Sequence, residues 1–292
     1  MKGFISVLSL IVLWPLAASQ AQVLAPNDAG VAMGHLYTIV RDMDAAKEFW
    51  ILMGGTPIKV DGADVIKFSG VFVFLKKGEP SGGTVGTTVA HIGFHVPNGE
   101  QFVAKLRAAG VKMDPDAGMT KGDGLNFGYI YSPDNVKIEI LNSGKSTAAL
   151  GMSDVPAASP LTGSIACDHI HFFVPESSVV EIQAWYAKMF GAKPFLDPVH
   201  VGPGDPIRAG NLPGVNLKFS KSTDPPVPTK GRALDHIGFE VENLEAFIKK
   251  LEASGVKFDQ PYSKTRHKDY ASVELTDPWG TTIELTEGLN KL

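Results

Sequence analysis

The sequence holds one cysteine, Cys167, in 292 residues, so no intrachain disulfide can form and stability has to come from burial. A lone thiol of this kind is best explained as a buried side chain rather than a reactive or metal-binding sulfur. A basic surplus is also missing: 27 Lys and Arg stand against 31 Asp and Glu, for a net charge of -4. That balance removes the electrostatic footprint of a nucleic-acid or anionic-membrane binder. The chain has no Gly-x-Ser-x-Gly elbow, no Gly-x-x-x-x-Gly-Lys phosphate loop and no His-Glu-x-x-His pair, which removes the enzyme classes built on them. Long apolar runs are absent except for Phe4 to Leu16, which follows Lys2 and leads into Ala17-Ala-Ser-Gln-Ala21. This run is shorter than the roughly 20 apolar residues of a spanning helix, and Pro15 interrupts it. Residues 1–21 therefore read as a secretory signal cleaved after Ala21, which predicts a secreted or periplasmic protein with no membrane segment after its removal.

What remains is of ordinary globular composition, 44% hydrophobic and 20% charged, and it is duplicated. Lys105-Leu-Arg-Ala-Ala-Gly-Val-Lys-Met-Asp114 matches Lys250-Leu-Glu-Ala-Ser-Gly-Val-Lys-Phe-Asp259, and Ala90-His-Ile-Gly-Phe-His-Val96 matches Asp235-His-Ile-Gly-Phe-Glu-Val241. A third pair, Ser132 to Glu139 against Asp277 to Glu284, keeps the same offset. Upstream, His35-Leu-Tyr-Thr-Ile-Val pairs with His169-Ile-His-Phe-Phe-Val at a slightly different spacing. The Ser, Ala, Gly and Pro-rich stretch 143–165 reads as a linker, giving two domains, 30–142 and 166–290. Within each, a strand, a helix and further short strands occur twice. Ala46, Phe49, Trp50 and Met53 mark a helix over 44–53, and Phe102, Leu106 and Ala109 one over 99–109 with Gly110 at its C-cap. Strands are predicted at 35–40, 91–96, 127–131 and 136–141. The expected fold is α+β, four βαβββ modules in tandem.

Strand parity selects the chemistry. Side chains alternate between faces, so Ile92, Phe94 and Val96 should pack on the helices and leave His91, Gly93 and His95 on the free face. The same rule leaves Glu139 opposite Ile138 and Ile140, His35 beside Tyr37, His169 beside His171, His236 beside Gly238, and Glu284 opposite Ile283 and Leu285. Burying a carboxylate without compensation is costly, and a divalent cation supplies the compensation. Two imidazoles and one carboxylate form a facial triad with open positions, the arrangement associated with non-haem Fe(II).

The strings Cys167-Asp-His-Ile, Leu234-Asp-His-Ile-Gly-Phe and Asp277-Pro-Trp-Gly-Thr-Thr-Ile-Glu-Leu285, with their partners around His35, His91 and Glu139, resemble the first, fifth and eighth strands of the vicinal oxygen chelate superfamily, the glyoxalase, bleomycin-resistance and dioxygenase group. That resemblance covers nearly all of the chain beyond residue 21. It implies two domains of that fold and metal ligands His35, His91 and Glu139 in one, His169, His236 and Glu284 in the other. Glyoxalase-like members carry a further glutamate on the fourth strand, and Val71 to Leu75 and Val215 to Phe219 contain no acid. The resemblance therefore leans to a dioxygenase using Fe(II), with Mn, Ni or Zn as other fits. His171, His267 and Tyr270 are then the candidates for handling protons around the metal. A glyoxalase-like lyase or isomerase, a thiol transferase and a non-catalytic ligand binder are the other readings. The expected partner is a small molecule with two neighbouring oxygens; an oligomer is left open.

Overall fold

The computed structural model describes residues 23–118, 126–142, 165–197 and 206–292. The leader 1–21, nearly all of the linker 143–165 and part of the loop before the second matched segment lie outside the described residues. The first module comprises β1 (Val31–Val40), α1 (Met43–Leu52), β2 (Thr56–Val60), β3 (Ala63–Phe68) and β4 (Val71–Lys77), and the second β5 (Val89–Val96), α2 (Gly99–Ala108), β6 (Asn126–Tyr131) and β7 (Lys137–Asn142). The third comprises β8 (Ala166–Val174), α3 (Val179–Phe190), β9 (Lys193–Asp197), β10 (Ile207–Leu212) and β11 (Val215–Lys221), and the fourth β12 (Leu234–Val241), α4 (Leu244–Ala253), β13 (Phe258–Ser263), β14 (Ala271–Thr276) and β15 (Thr282–Glu287). The fold is thus α+β with the expected repeating modules. In the second module the strand after the helix is reduced, among the described residues, to a single bridge between Met113 and Ile130.

Three of the four helices, α1, α2 and α4, start where short polar side chains replace missing intrahelical partners. Asp42 accepts from the Asp44 and Ala45 amides, Asn98 from Gln101 and Asn243 from Ala246. The stripe on α1 is as expected, with Ala46, Phe49 and Trp50 buried. That on α2 differs: Val103 and Leu106 are buried, while Ala109 is exposed because the helix ends at Ala108 and leaves Ala109 as its cap. Trp50 touches both Phe68 of β3 and Phe94 of β5, and Phe190 of α3 touches Phe239 of β12. One continuous apolar core therefore joins all four modules, with Ile92, Phe94, Val96, Ile237, Phe239, Ile283 and Leu285 inside it as parity predicted. Cys167 is buried in the same core, and burial pushes its thiol pKa well up.

The strands form two mixed sheets, ordered β13-β14-β15-β12-β1-β4-β3-β2 and β6-β7-β5-β8-β11-β10-β9. Each sheet takes one module from each half of the chain: the first and fourth share a sheet, and so do the second and third. β1 runs antiparallel to β12, and β5 antiparallel to β8. This cross-half pairing decides which side chains meet.

Candidate metal centres

In the first sheet His35 lies opposite Gly238, and Gly238 lies beside Glu284 on the parallel neighbour. In the second sheet His169 lies opposite Gly93, and Gly93 beside Glu139. A histidine, a glycine and a glutamate therefore stand in a row across three strands, twice: across β1, β12 and β15, and across β8, β5 and β7. His236 and His91 sit two residues before those glycines and so share their face. The expectation of one triad per half is corrected by this register: His35 joins His236 and Glu284, and His169 joins His91 and Glu139. All six expected residues are used, regrouped because the opening strand of each half pairs with the other half.

Both glycines are required by contact. A Cβ on Gly238 would lie 2.0 Å from Cε1 of His35, and one on Gly93 would lie 2.3 Å from Cε1 of His169. The imidazole of the facing strand occupies the space a side chain would fill.

At the first centre, Nε2 of His35 and Nε2 of His236 lie 3.1 and 3.5 Å from Oε2 of Glu284. Metal–ligand bonds of about 2.0–2.1 Å place neighbouring donors roughly 3.0–3.4 Å apart, depending on the angle between them. The donors thus stand at the spacing of one ion's coordination edges. Both Nε2 atoms are buried without a hydrogen-bond partner, a condition that ordinarily costs about 1–3 kcal/mol for each such group and that a cation relieves. Burial lowers the pKa of His35, leaving a neutral ring with a free lone pair. Burial also opposes protonation of His236, but Asp235 and Glu284 outweigh it and hold its pKa above the ordinary value. Burial alone would raise Glu284, yet the His236 and His35 rings beside it draw it well below the usual carboxylate range. A divalent cation fits this donor set.

Around these three, Asp235 accepts from Nδ1 of His236 at 2.7 Å and fixes which ring nitrogen faces inward. Tyr37 stacks on His236 with centroids 4.3 Å apart. His267 stands with Nε2 4.0 Å from Oε1 of Glu284 and its ring stacked 4.1 Å from that of Tyr270. Its neighbours Lys264, Arg266 and Lys268 suggest a solvated loop, but the His267 side chain is only 25% exposed. Asp61, in the two-residue Asp61-Gly62 turn with φ of 48° and 79°, reaches Nδ1 of His267 at 3.3 Å. Such a turn joins β2 to β3 with both residues left-handed, which Asp-Gly tolerates. Burial and the charge on Glu284 hold the Tyr270 phenol well above its ordinary pKa. A cavity of about 210 Å³ opens over this group, and Lys76, Lys230 and Arg266 are among its lining residues.

At the second centre, Nε2 of His91 and Nε2 of His169 each lie 3.1 Å from Oε2 of Glu139. Burial lowers His91 to about 4, and the His169 and His91 rings beside Glu139 overcome burial and hold it well below the usual carboxylate range. Asp168 takes the role of Asp235, 2.7 Å from Nδ1 of His169, and is also 2.6 Å from Nε2 of His95. His171 lies here, 3.2 Å from Nε2 of His91, and not with His267 and Tyr270. The proton-handling trio expected from the sequence is therefore divided between the centres. Asp168, Asp235, Gly93 and Gly238 carry no role in the sequence reading, though the repeated Asp-His and His-Ile-Gly strings mark them.

The family model described as "Glyoxalase/Bleomycin resistance protein/Dioxygenase superfamily" matches residues 32–140 and 167–285. Among solved structures, glyoxalase I from Zea mays superposes with a TM-score of 0.63 and 13% identity, covering 89% of this chain and 94% of that one. A Bacillus subtilis protein described as a candidate dioxygenase gives 0.60 and 13%, covering 88% and 84%. At these identities the likeness is one of fold. A search of curated proteins returned no significant match.

Proposed function

Because the chain belongs to the Glyoxalase/Bleomycin resistance protein/Dioxygenase superfamily, we propose that it is a metal-dependent enzyme of the non-haem Fe(II) dioxygenase kind, acting at the first centre on a small substrate with vicinal oxygens. The superfamily includes metal-dependent glyoxalases and dioxygenases, and its members bind small molecules; the choice between reactions rests on the ligand set. That choice is carried by one observation. His35, His236 and Glu284 converge as a buried group of three, and the fourth strand offers Phe74, edge-on to His35 at 5.2 Å, where no acid is available from Val71 to Lys77. A proton-shuttling fourth carboxylate is missing from that strand, and a facial triad keeps positions free for two substrate oxygens and dioxygen.

His35, His236 and Glu284 would hold the ion, with Asp235 fixing the His236 ring. Bound Fe(II) would supply chelation of the two substrate oxygens and a path by which electrons pass from the substrate to dioxygen. Nε2 of His267 would accept a proton from the substrate, while Asp61 holds Nδ1. Tyr270 keeps its phenolic proton and serves as a donor beside it. Ring faces of Tyr37, Phe74 and Tyr270 form an apolar wall that keeps bulk water from the reacting atoms. The same reading places the enzyme outside the cytoplasm, which the signal-like residues 1–21 support.

Metal analysis of protein prepared without chelators, beside Glu284→Ala and His35→Ala, tests this first. Iron in the wild type, with each variant losing about one equivalent and with oxygen uptake from a panel of catechols, is expected. Nickel or zinc without oxygen uptake overturns the dioxygenase reading in favour of a lyase, isomerase or transferase. Metal-free wild type overturns catalysis by metal and leaves ligand binding.

A further inference from the structure

The two centres share a triad but not their fourth neighbour. At the residue two positions after the first-strand histidine, the first centre has Tyr37, whose ring stacks on His236, and the second has His171. Nδ1 of His171 lies 3.2 Å from Nε2 of His91, inside the roughly 3.0–3.4 Å separating donors on one ion. His91, His169 and His171 all offer a nitrogen within 4.8 Å of one another, and all three are buried. Nε2 of His171 is 2.8 Å from Ser220 Oγ; donating there turns Nδ1 inward as a bare lone pair, the outer-nitrogen anchoring that metal-binding histidines show. His169 is anchored likewise by Asp168, and its Nε2 is buried without a hydrogen-bond partner.

From this geometry we infer that His171 is a fourth protein ligand of the second centre, which is a closed three-imidazole, one-carboxylate site. Four protein donors complete the tetrahedral shell of a structural zinc site, whereas three leave the open position that catalysis needs. The chain therefore carries two unlike metal sites, an open one at His35 and a closed one at His171. Because β5 and β7 come from the first half and β8 from the second, the closed ion fastens the halves together. The inference rests on the metal-binding part of the proposed function and not on its oxygen chemistry.

The experiment uses the full chain with the first centre disabled by Glu284→Ala, loaded with Co(II). One equivalent with the strong visible absorption of four-coordinate cobalt is expected. Adding His171→Phe should weaken binding by at least about 10-fold and collapse that absorption. Pulsed EPR of the Cu(II)-loaded Glu284→Ala protein, which leaves His171 intact, should count three imidazoles and covers the case in which the double variant does not fold. Two imidazoles, a weak five- or six-coordinate cobalt spectrum, or an unchanged spectrum on adding His171→Phe would each overturn the inference. Three imidazoles in a protein whose wild type consumes no oxygen would sink the dioxygenase reading and leave this one standing.

Discussion

The smallest side chains set the geometry of both centres. His35 can lie flat over its neighbouring strand only because Gly238 has no Cβ, and the same holds for His169 over Gly93. Gly238→Ala would put a methyl carbon within 2.0 Å of the His35 ring. Since the new atom arises from backbone, the ring must move. Expected is loss of about one equivalent of metal with the fold retained by circular dichroism, while the equivalent at the second centre stays; metal content of the purified variant checks it, and full retention would refute it. The six residues that converge at the two candidate centres were legible in the sequence, though not their grouping, because alternation and repetition picked them independently. The glycines and the Asp-His pairs were visible as strings but not as roles, because what they touch lies on another strand. His267 was obscured for a like reason. Its cationic neighbours describe a wet surface, and only the turn at Asp61, about 200 residues away in sequence, shows where the ring goes.

At the scale of elements, periodicity located α1 and α2 to within a residue, and its one error, Ala109, came from a helix that stops a residue early. How elements are tied to one another is less visible. Asp64 of β3 holds both Lys47 of α1 and Lys59 of β2, each at 2.9 Å. The two ammonium hydrogen bonds, from Lys59 first, lower the Asp64 pKa below 3.8. A carboxyl depressed in the folded state adds stability that is present above its unfolded value and lost as pH falls through the folded one. Asp64→Asn should accordingly be less stable than wild type in urea melts at pH 6–8. The gap should close as the pH drops below 3.8. A gap independent of pH would show that the two lysines contribute nothing through charge. With the side chain 22% exposed and solvent screening the pair, the effect is expected at the modest end for ion pairs.

For the whole molecule, the duplication was legible and the partnership of the modules was not. Ala90-His-Ile-Gly-Phe and Asp235-His-Ile-Gly-Phe are nearly the same strand, so nothing local tells β1 which of the two to join. The choice of β12 is made by the entire sheet, and each half alone leaves β1 or β12, and β5 or β8, with an unpaired edge. Unpaired strand edges recruit partners. Residues 23–142 and 166–292 expressed together as separate chains should co-purify as a one-to-one complex that binds metal. Either half alone should aggregate or fail to bind it, as size-exclusion chromatography with metal analysis would reveal. Two well-behaved, metal-loaded half-proteins would contradict the cross-half sheets.

That arrangement has a consequence in time. Synthesis delivers the N-terminal segments first, and all donors of the second centre have been made once β8 is complete. His35 is made early, yet the strand bearing Glu284 is the last of the described strands. A product truncated between β8 and that strand holds every donor of the second centre and lacks Glu284 of the first. The first centre thus assembles only after β15 has been made, later than the second.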